Sequence, residues 1–327
     1  IQLWVNELSN DNVNNSDYCV TFIEVQDNLD ACDGSKVSLG GKITNEEGES
    51  VEDVMIELNN GMSAMTSNDG EFNFSVPVSS DITVTPMKND DVTNGVSTFD
   101  LLQISKHILN VERLDSPYKM IAADANRSGN ISTVDLIAIR KVILRVATEF
   151  PNNTSWRFVD KDYIFANANE PLKENFKEII NRNNLTSTDL KANFTAIKIG
   201  DVNGDAVPNS ILGVDGRTFN GSLNFKSQEK EVKAGEEFAV SFTANIDVEG
   251  FQFTMIQHEN AELIAIENGL TTDNNFNVIG NQIATSWNEK VSTADQTMFT
   301  LRFLAKAEKH RRKAPIHCYE LGLSFLE

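Results

Sequence analysis

The sequence predicts a mainly β, multi-domain chain in which β-sandwiches flank one small helical unit. Most of the 327 residues fall into short stretches of alternating apolar and polar side chains separated by Gly, Asn and Asp, the period-2 signature of half-buried strands. Residues 89 to about 150 switch to helical period, with Leu101, Leu102, Ile104, Ile108 and Leu109 on one stripe and Leu136, Ile137, Ile139, Val142, Ile143 and Leu144 on another. These two stretches repeat each other about 35 residues apart: Gly95-Val-Ser-Thr-Phe-Asp-Leu-Leu-Gln-Ile-Ser-Lys-His-Ile-Leu109 matches Asn130-Ile-Ser-Thr-Val-Asp-Leu-Ile-Ala-Ile-Arg-Lys-Val-Ile-Leu144.

Four regions follow. Residues 1–35 are rich in Asn, Asp and Ser and resemble the last two strands of a truncated sandwich. Residues 36–88 form a β unit: Val37, Leu39 and Ile43 alternate, then Val54, Ile56 and Leu58, then Phe72, Phe74 and Val76, with Asn68-Asp-Gly70 as a hairpin turn. Residues 89–213 hold the helical repeat and an extension. In it, Trp156–Val159, Tyr163–Phe165 and Phe194–Ile199 read as strands and Leu172–Ile180 as helix. Residues 214–327 return to strand period, including Phe238–Phe242, Gly250–Met255, Ala261–Ile266, Gln282–Trp287 and Met298–Phe303, the pattern of another sandwich.

Composition narrows the function. With 48 Asp and Glu against 28 Lys and Arg, net charge -20, the chain lacks the basic surface that nucleic-acid binding requires, and an acidic surface suits divalent cations. No apolar run has membrane-spanning length. Ile1-Gln-Leu-Trp-Val5 reads as a strand, not a signal peptide, so the chain reads as a piece of something longer. Cys19 and Cys32 form a disulfide if the chain is exported and stay buried thiols otherwise; Cys318 has no nearby partner. The stretch from Ala305 to Tyr319 turns abruptly basic and loses alternation.

Calcium takes about six to eight hard oxygens, which an EF-hand-type loop supplies from positions 1, 3, 5, 7, 9 and 12. In Asp124-Ala-Asn-Arg-Ser-Gly-Asn-Ile-Ser-Thr-Val-Asp135 these fall on Asp124, Asn126, Ser128, Asn130, Ser132 and Asp135, with Gly129 at the sharp turn. The same register over the first repeat gives Asn89, Asp91, Thr93, Gly95, Ser97 and Asp100, with Asn at position 1 and the glycine displaced by one; this half binds more weakly or is completed from elsewhere. A third candidate, Asp201-Val-Asn-Gly-Asp205, places Asp201, Asn203 and Asp205 correctly but has Leu212 at position 12, so it is truncated or takes a carboxylate from another segment. The bland alternative is that Asp100 and Asp135 only cap helices.

These loop-then-helix halves resemble the dockerin family over about 60 residues, most specifically in the second repeat. That resemblance implies a double half-EF-hand, bound Ca2+ and docking onto cohesin modules, within or between chains. Ser38-Leu-Gly-Gly-Lys-Ile-Thr-Asn45, Val51–Leu58 and Thr66–Phe74 are similar to the carboxypeptidase regulatory-like, transthyretin-like domains, which implies a spacer without catalysis. Val232–Val240 and Val248–Thr254 resemble the cohesin family, with Phe251 and Phe253 expected in its core. The order of modules resembles large secreted surface proteins of Bacteroidetes-type bacteria, which implies an extracellular location, type IX secretion and a role in adhesion or assembly.

Catalysis is not expected. The four histidines, His107, His258, His310 and His317, form no metal-binding spacing, and no nucleophile elbow, zinc-protease or phosphate-loop motif occurs. The alternatives are a carbohydrate-binding adhesin that grips surface glycans through Trp156 and Trp287, residues that fit a core equally, and an accessory region of a secreted glycan-degrading enzyme.

Overall fold

The computed structural model describes residues 35–210, 232–289 and 291–306 in full, and the backbone of 3–7, 15–19 and 225–226. Sheets dominate. β1 (Leu3–Glu7) and β2 (Asn15–Cys19) pair antiparallel, with Leu3 opposite Cys19. The Cys19–Cys32 pairing and the basic stretch beyond Lys306 lie outside the described side chains.

The first sandwich is built from two distant parts of the chain. Its strands are β3 (Lys36–Thr44), β4 (Met55–Leu58), β5 (Ser63–Met65), β6 (Glu71–Pro77), β7 (Ser80–Met87), β8 (Trp156–Asp160), β9 (Ile180–Leu185) and β10 (Phe194–Lys198). One sheet runs β6-β3-β10-β8 and the other β5-β4-β7-β9. β10 lies parallel to β3, with Phe194 opposite Ile43, and antiparallel to β8. The extension after the helices therefore completes the 36–88 unit instead of forming a separate body. Their shared core joins Leu39, Ile43, Ile56, Phe74 and Val84 to Trp156, Phe158, Ile180 and Phe194.

Several local expectations are corrected. Asn68-Asp-Gly70 does turn, with Gly70 N–H donating to Ser67 O at 2.8 Å, but it carries the chain between sheets, since β5 pairs with β4 and β6 with β3. Leu172–Ile180 is not a helix: a 3-10 turn spans Pro171–Lys173 and β9 begins at Ile180. Tyr163–Phe165 is not a strand; Tyr163 and Phe165 pack edge-to-face in a half-buried aromatic cluster with Tyr118 and Phe176.

The helical unit emerges between β7 and β8 as α1 (Thr98–Ile108), α2 (Pro117–Ala123) and α3 (Thr133–Ile143). Ser97 and Ser132 each cap a long helix through a capping box with Asp100 and Asp135, and Ser116 with Pro117 starts the short one. Leu101, Ile104, Ile121, Ile139 and Val142 form the helical core, and Val159 of β8 and Ile197 of β10 extend it. β8 and β10 are buried on both faces, one toward the sandwich and one toward the helices.

The second sandwich has β12 (Glu237–Ala244), β17 (Thr297–Ala305) and β14 (Ala261–Asn268) in one sheet, with β11 (Phe225–Lys226) at its edge. The other sheet holds β13 (Gly250–Ile256), β16 (Gln282–Asn288) and β15 (Phe276–Ile279) in the order β13-β16-β15. Phe251, Phe253, Trp287 and Phe299 fill the core, with Phe251 stacked on Trp287. The outer face of β13-β16-β15 receives α1 and α3. Thr98 N–H donates to Gln252 Oε1 at 2.9 Å, and the Thr98 and Ser286 hydroxyls pair at 2.7 Å. Asn277 Nδ2 donates to Leu144 O at 2.8 Å, and Arg140 bonds Asn288.

Because β8–β10 complete both sheets, a fragment ending near residue 90 lacks one interior and two edge strands. Residues 35–90 alone should show no cooperative thermal transition, whereas 35–210 should melt cooperatively; circular dichroism on the two fragments makes the comparison.

Candidate metal centre

The second predicted loop joins the end of α2 to the start of α3. Asp124 and Asp135 are 1 % and 0 % exposed and both turn into the loop. Asp124 Oδ1 accepts from Ser128 N–H at 2.8 Å and its Oδ2 from Gly129 N–H at 2.8 Å. Asp135 Oδ1 accepts from Asn126 N–H at 3.2 Å, and its Oδ2 accepts from Ser132 N–H at 2.9 Å and Ser132 Oγ at 3.1 Å. Ser128 Oγ lies 3.2 Å from Asn130 O, so the oxygens of positions 5 and 7 are neighbours. Gly129, at φ 81°, takes a conformation that a Cβ would disfavour. The contiguous register thus brings all its residues into one loop.

The first predicted loop is arranged differently. Asn89 Oδ1 accepts from Ser155 N–H at 2.8 Å, which ties position 1 to the start of β8. The Lys198 ammonium donates to Val92 O at 3.0 Å. Thr93 Oγ1 contacts Asp91 at 3.4 Å, and the structure does not bring either residue to Asp100 through any hydrogen bond among the described residues. Gly95 lies where two chain segments nearly touch: a Cβ there would come within 2.6 Å of Ala206 Cα.

Asp100 instead joins the third candidate. Its Oδ1 accepts from Val202 N–H at 2.8 Å and Asn203 N–H at 3.3 Å, while its Oδ2 accepts from Ser97 N–H at 2.8 Å and Ser97 Oγ at 3.0 Å. Asp201 accepts from Gly204 N–H at 2.7 Å and Ala206 N–H at 2.9 Å. Residues 201–206 followed by 95–100 therefore form one composite loop with the bonding of the contiguous one. In both, the position-12 carboxylate accepts from the position-3 and position-9 amides, and the position-1 carboxylate accepts from the position-6 amide. The seam is stitched by Asn94, whose Nδ2 donates to Val207 O at 2.8 Å and whose Oδ1 accepts from Val207 N–H at 3.0 Å. In the composite register Asp201, Asn203 and Asp205 supply positions 1, 3 and 5, and Gly95, Ser97 and Asp100 supply 7, 9 and 12.

The sequence holds the clue to this arrangement. The first repeat has a sound second half without a sound first half, and Asp201–Asp205 has the reverse defect. What a linear reading misses is that one completes the other, because the halves stand about a hundred residues apart in the chain.

Electrostatics marks the composite loop as short of positive charge. Burial, then the neighbouring Asp201 charge, pushes Asp100 well above the usual carboxylate range. Burial, then Asp205, raises Asp201 to about 6. Burial also raises Asp135. Lys198 stands near, but burial lowers it to about 8 and its ammonium donates to the Val92 carbonyl. Among the described residues no three His, Cys, Asp or Glu side chains stand at metal-ligand spacing, so a cation in either loop draws also on Asn, Ser and carbonyl oxygens.

The two tryptophans proposed for glycan contact are core residues, Trp156 3 % and Trp287 0 % exposed, and offer no exposed platform. His107 is half-buried, and its Nδ1 accepts from Leu114 N–H at 3.1 Å.

No protein-family profile matches the chain, and no curated protein does. Solved structures give distant similarities. A non-cellulosomal cohesin from Archaeoglobus fulgidus aligns with 26 % of this chain and 66 % of its own at 18 % identity, TM-score 0.24. The major pilin SpaD of Corynebacterium diphtheriae aligns with 83 % of this chain and 57 % of its own at 10 % identity, TM-score 0.24. A DUF3823 family protein from Bacteroides uniformis aligns with 89 % of this chain and 96 % of its own at 8 % identity, TM-score 0.20. The chain thus spans about two thirds of the cohesin and little more than half of the pilin.

Asp201 binds its proton more tightly folded, near pH 6, than at its ordinary value of 3.8. In the calcium-free chain its contribution to stability should therefore fall as pH rises from about 4 to about 6 and stay low above that. Melting of calcium-free protein should drop between pH 4 and 7, and the drop should be smaller in Asp201→Asn, as differential scanning calorimetry would read.

Proposed function

We propose that this chain is a calcium-stabilised, extracellular interaction module that does no catalysis of its own, in which two calcium loops order a helical pair for docking onto a β-sandwich. The observation that carries the reading is the shared hydrogen-bond pattern of the contiguous loop, Asp124–Asp135, and the composite loop, 201–206 with 95–100. A pattern repeated in two differently assembled places argues against helix capping alone, because capping explains the Ser97–Asp100 and Ser132–Asp135 boxes but not the amides of Asn126 and Asn203.

The residues that would hold the ions are Asp124, Asn126, Ser128, Asn130, Ser132 and Asp135 in one loop, and Asp201, Asn203, Asp205, Gly95, Ser97 and Asp100 in the other. Calcium, when bound, supplies the positive charge that the buried carboxylates lack. The chain's own residues do the rest: they fix the helix starts. Asp100 stands two residues from Thr98, which meets Gln252 and Ser286 on the second sandwich. Ordering the composite loop therefore sets the position of a docking side chain. This is a dockerin-like unit on a cohesin-like face within one chain, and exchange between chains of a surface protein would use the same contacts. Surface adhesion or assembly, with export by a type IX route, is the setting this reading implies. Glycan binding has no exposed aromatic platform to favour it at Trp156 or Trp287.

Calorimetric titration of the calcium-free chain should find two calcium ions. Asp124→Asn should remove one, and either Asp100→Asn or Asp201→Asn the other. At a hundredfold excess over Kd each ion should add about 2.7 kcal/mol of stability. No binding at millimolar calcium, with unchanged melting, would overturn the proposal.

A further inference from the structure

Methionine is among the residue types most often buried, yet four of the seven here are exposed, and all four belong to one sheet and its hairpin. They are Met55, Met62, Met65 and Met87. The register aligns three of them in a row. Met55 in β4 is directly opposite Met65 in β5 on one side and Met87 in β7 on the other. All three point away from the core, since the neighbouring Ile56 and Pro86 are buried and Ala64 packs against it. Their exposures are 38 %, 49 % and 42 %.

Directly opposed residues on a sheet have Cβ atoms about 4.5–5.5 Å apart. Methionine has an unbranched stem with three rotatable bonds, so three neighbouring thioethers can converge above the central strand without backbone movement. Thioether sulfur is a soft donor that selects monovalent copper over hard cations such as calcium. The surroundings admit a cation. β4, β5 and β7 contain no Lys or Arg, and Glu57, two residues from Met55 on the same face, is exposed.

We infer that the Met65–Met55–Met87 row is a trithioether site for a soft monovalent cation, Cu(I) in nature and Ag(I) as its redox-inert probe. It is separate from the calcium loops in both ligand chemistry and residues, and it does not rest on them. Binding uses three neutral sulfurs and changes no oxidation state. Met62, in the turn before β5, is outside the row.

The test uses the whole chain labelled with 13C at methionine methyls, thiols alkylated so that cysteine does not compete, in chloride-free buffer. On titration with Ag(I), the methyl signals of Met55, Met65 and Met87 should move together and saturate at one equivalent, while those of Met120 and Met298 stay still. Met55→Leu, a swap at an exposed position, should weaken binding at least tenfold. Met62→Leu should leave it unchanged. Unmoved Met55, Met65 and Met87 signals in excess Ag(I) would overturn the inference and leave the row an apolar surface patch. So would an affinity indifferent to Met55→Leu.

Discussion

The carboxylate of Asp100 holds together two stretches of chain that the sequence separates by about a hundred residues. One oxygen takes the amides of Val202 and Asn203, the other the amide and hydroxyl of Ser97. Everything between these stretches, including α2, α3, β8, β9 and β10, therefore belongs to a closed loop whose ends meet at Asp100 and at the Asn94–Val207 pairing. Closing so long a loop costs more chain entropy than the same contact made locally, so these bonds form only with the rest of the unit in place. The composite loop thus contributes to the whole unit, and the contiguous Asp124–Asp135 loop to its own helix junction.

The same closure places the helices. β10 pairs with β3 in the first sandwich and leads directly into Gly200 and Asp201, so the sandwich fixes the front half of the composite loop. Asp100 fixes the start of α1, and α1 presents Thr98 to Gln252 and Ser286. A continuous line of polar contacts thus runs from the first sandwich through a calcium-type loop to the second. Two buried carboxylates with raised proton affinity stand on that line, and a divalent cation would relieve the repulsion that Lys198, desolvated and turned to Val92, offsets only in part.

Much of this was legible in the sequence where the signal is local. The helical repeat and strands such as Phe72–Val76 and Gly250–Met255 follow from periodicity and turn chemistry, whereas the capping alternative, placed at Asp100 and Asp135, falls three residues earlier, on Ser97 and Ser132. The Asp124–Asp135 loop could be read as one unit because all its residues lie within one stretch. Non-local pairing escaped. Nothing in Phe194–Lys198 announces that it lies parallel to Lys36–Thr44, so residues 151–213 read as an extension of the helices. Residues Leu172–Ile180 have helical spacing, yet the structure uses Ile180 to begin an edge strand beside β7. Trp156 and Trp287 could not be assigned to surface or core by residue type alone; packing decided both. Completion of the first repeat from elsewhere was one expectation, but its source was not legible: the segment that meets Asp100 comes after, not before, the helix it serves.

The most direct measurement is anomalous scattering from a crystal grown with calcium and exchanged into a lanthanide. The account predicts one peak enclosed by Asp124 and Asp135 and a second enclosed by Asp201 and Asp100. A second peak among Asn89, Asp91 and Thr93, or none at the Asp100–Asp201 junction, would contradict it.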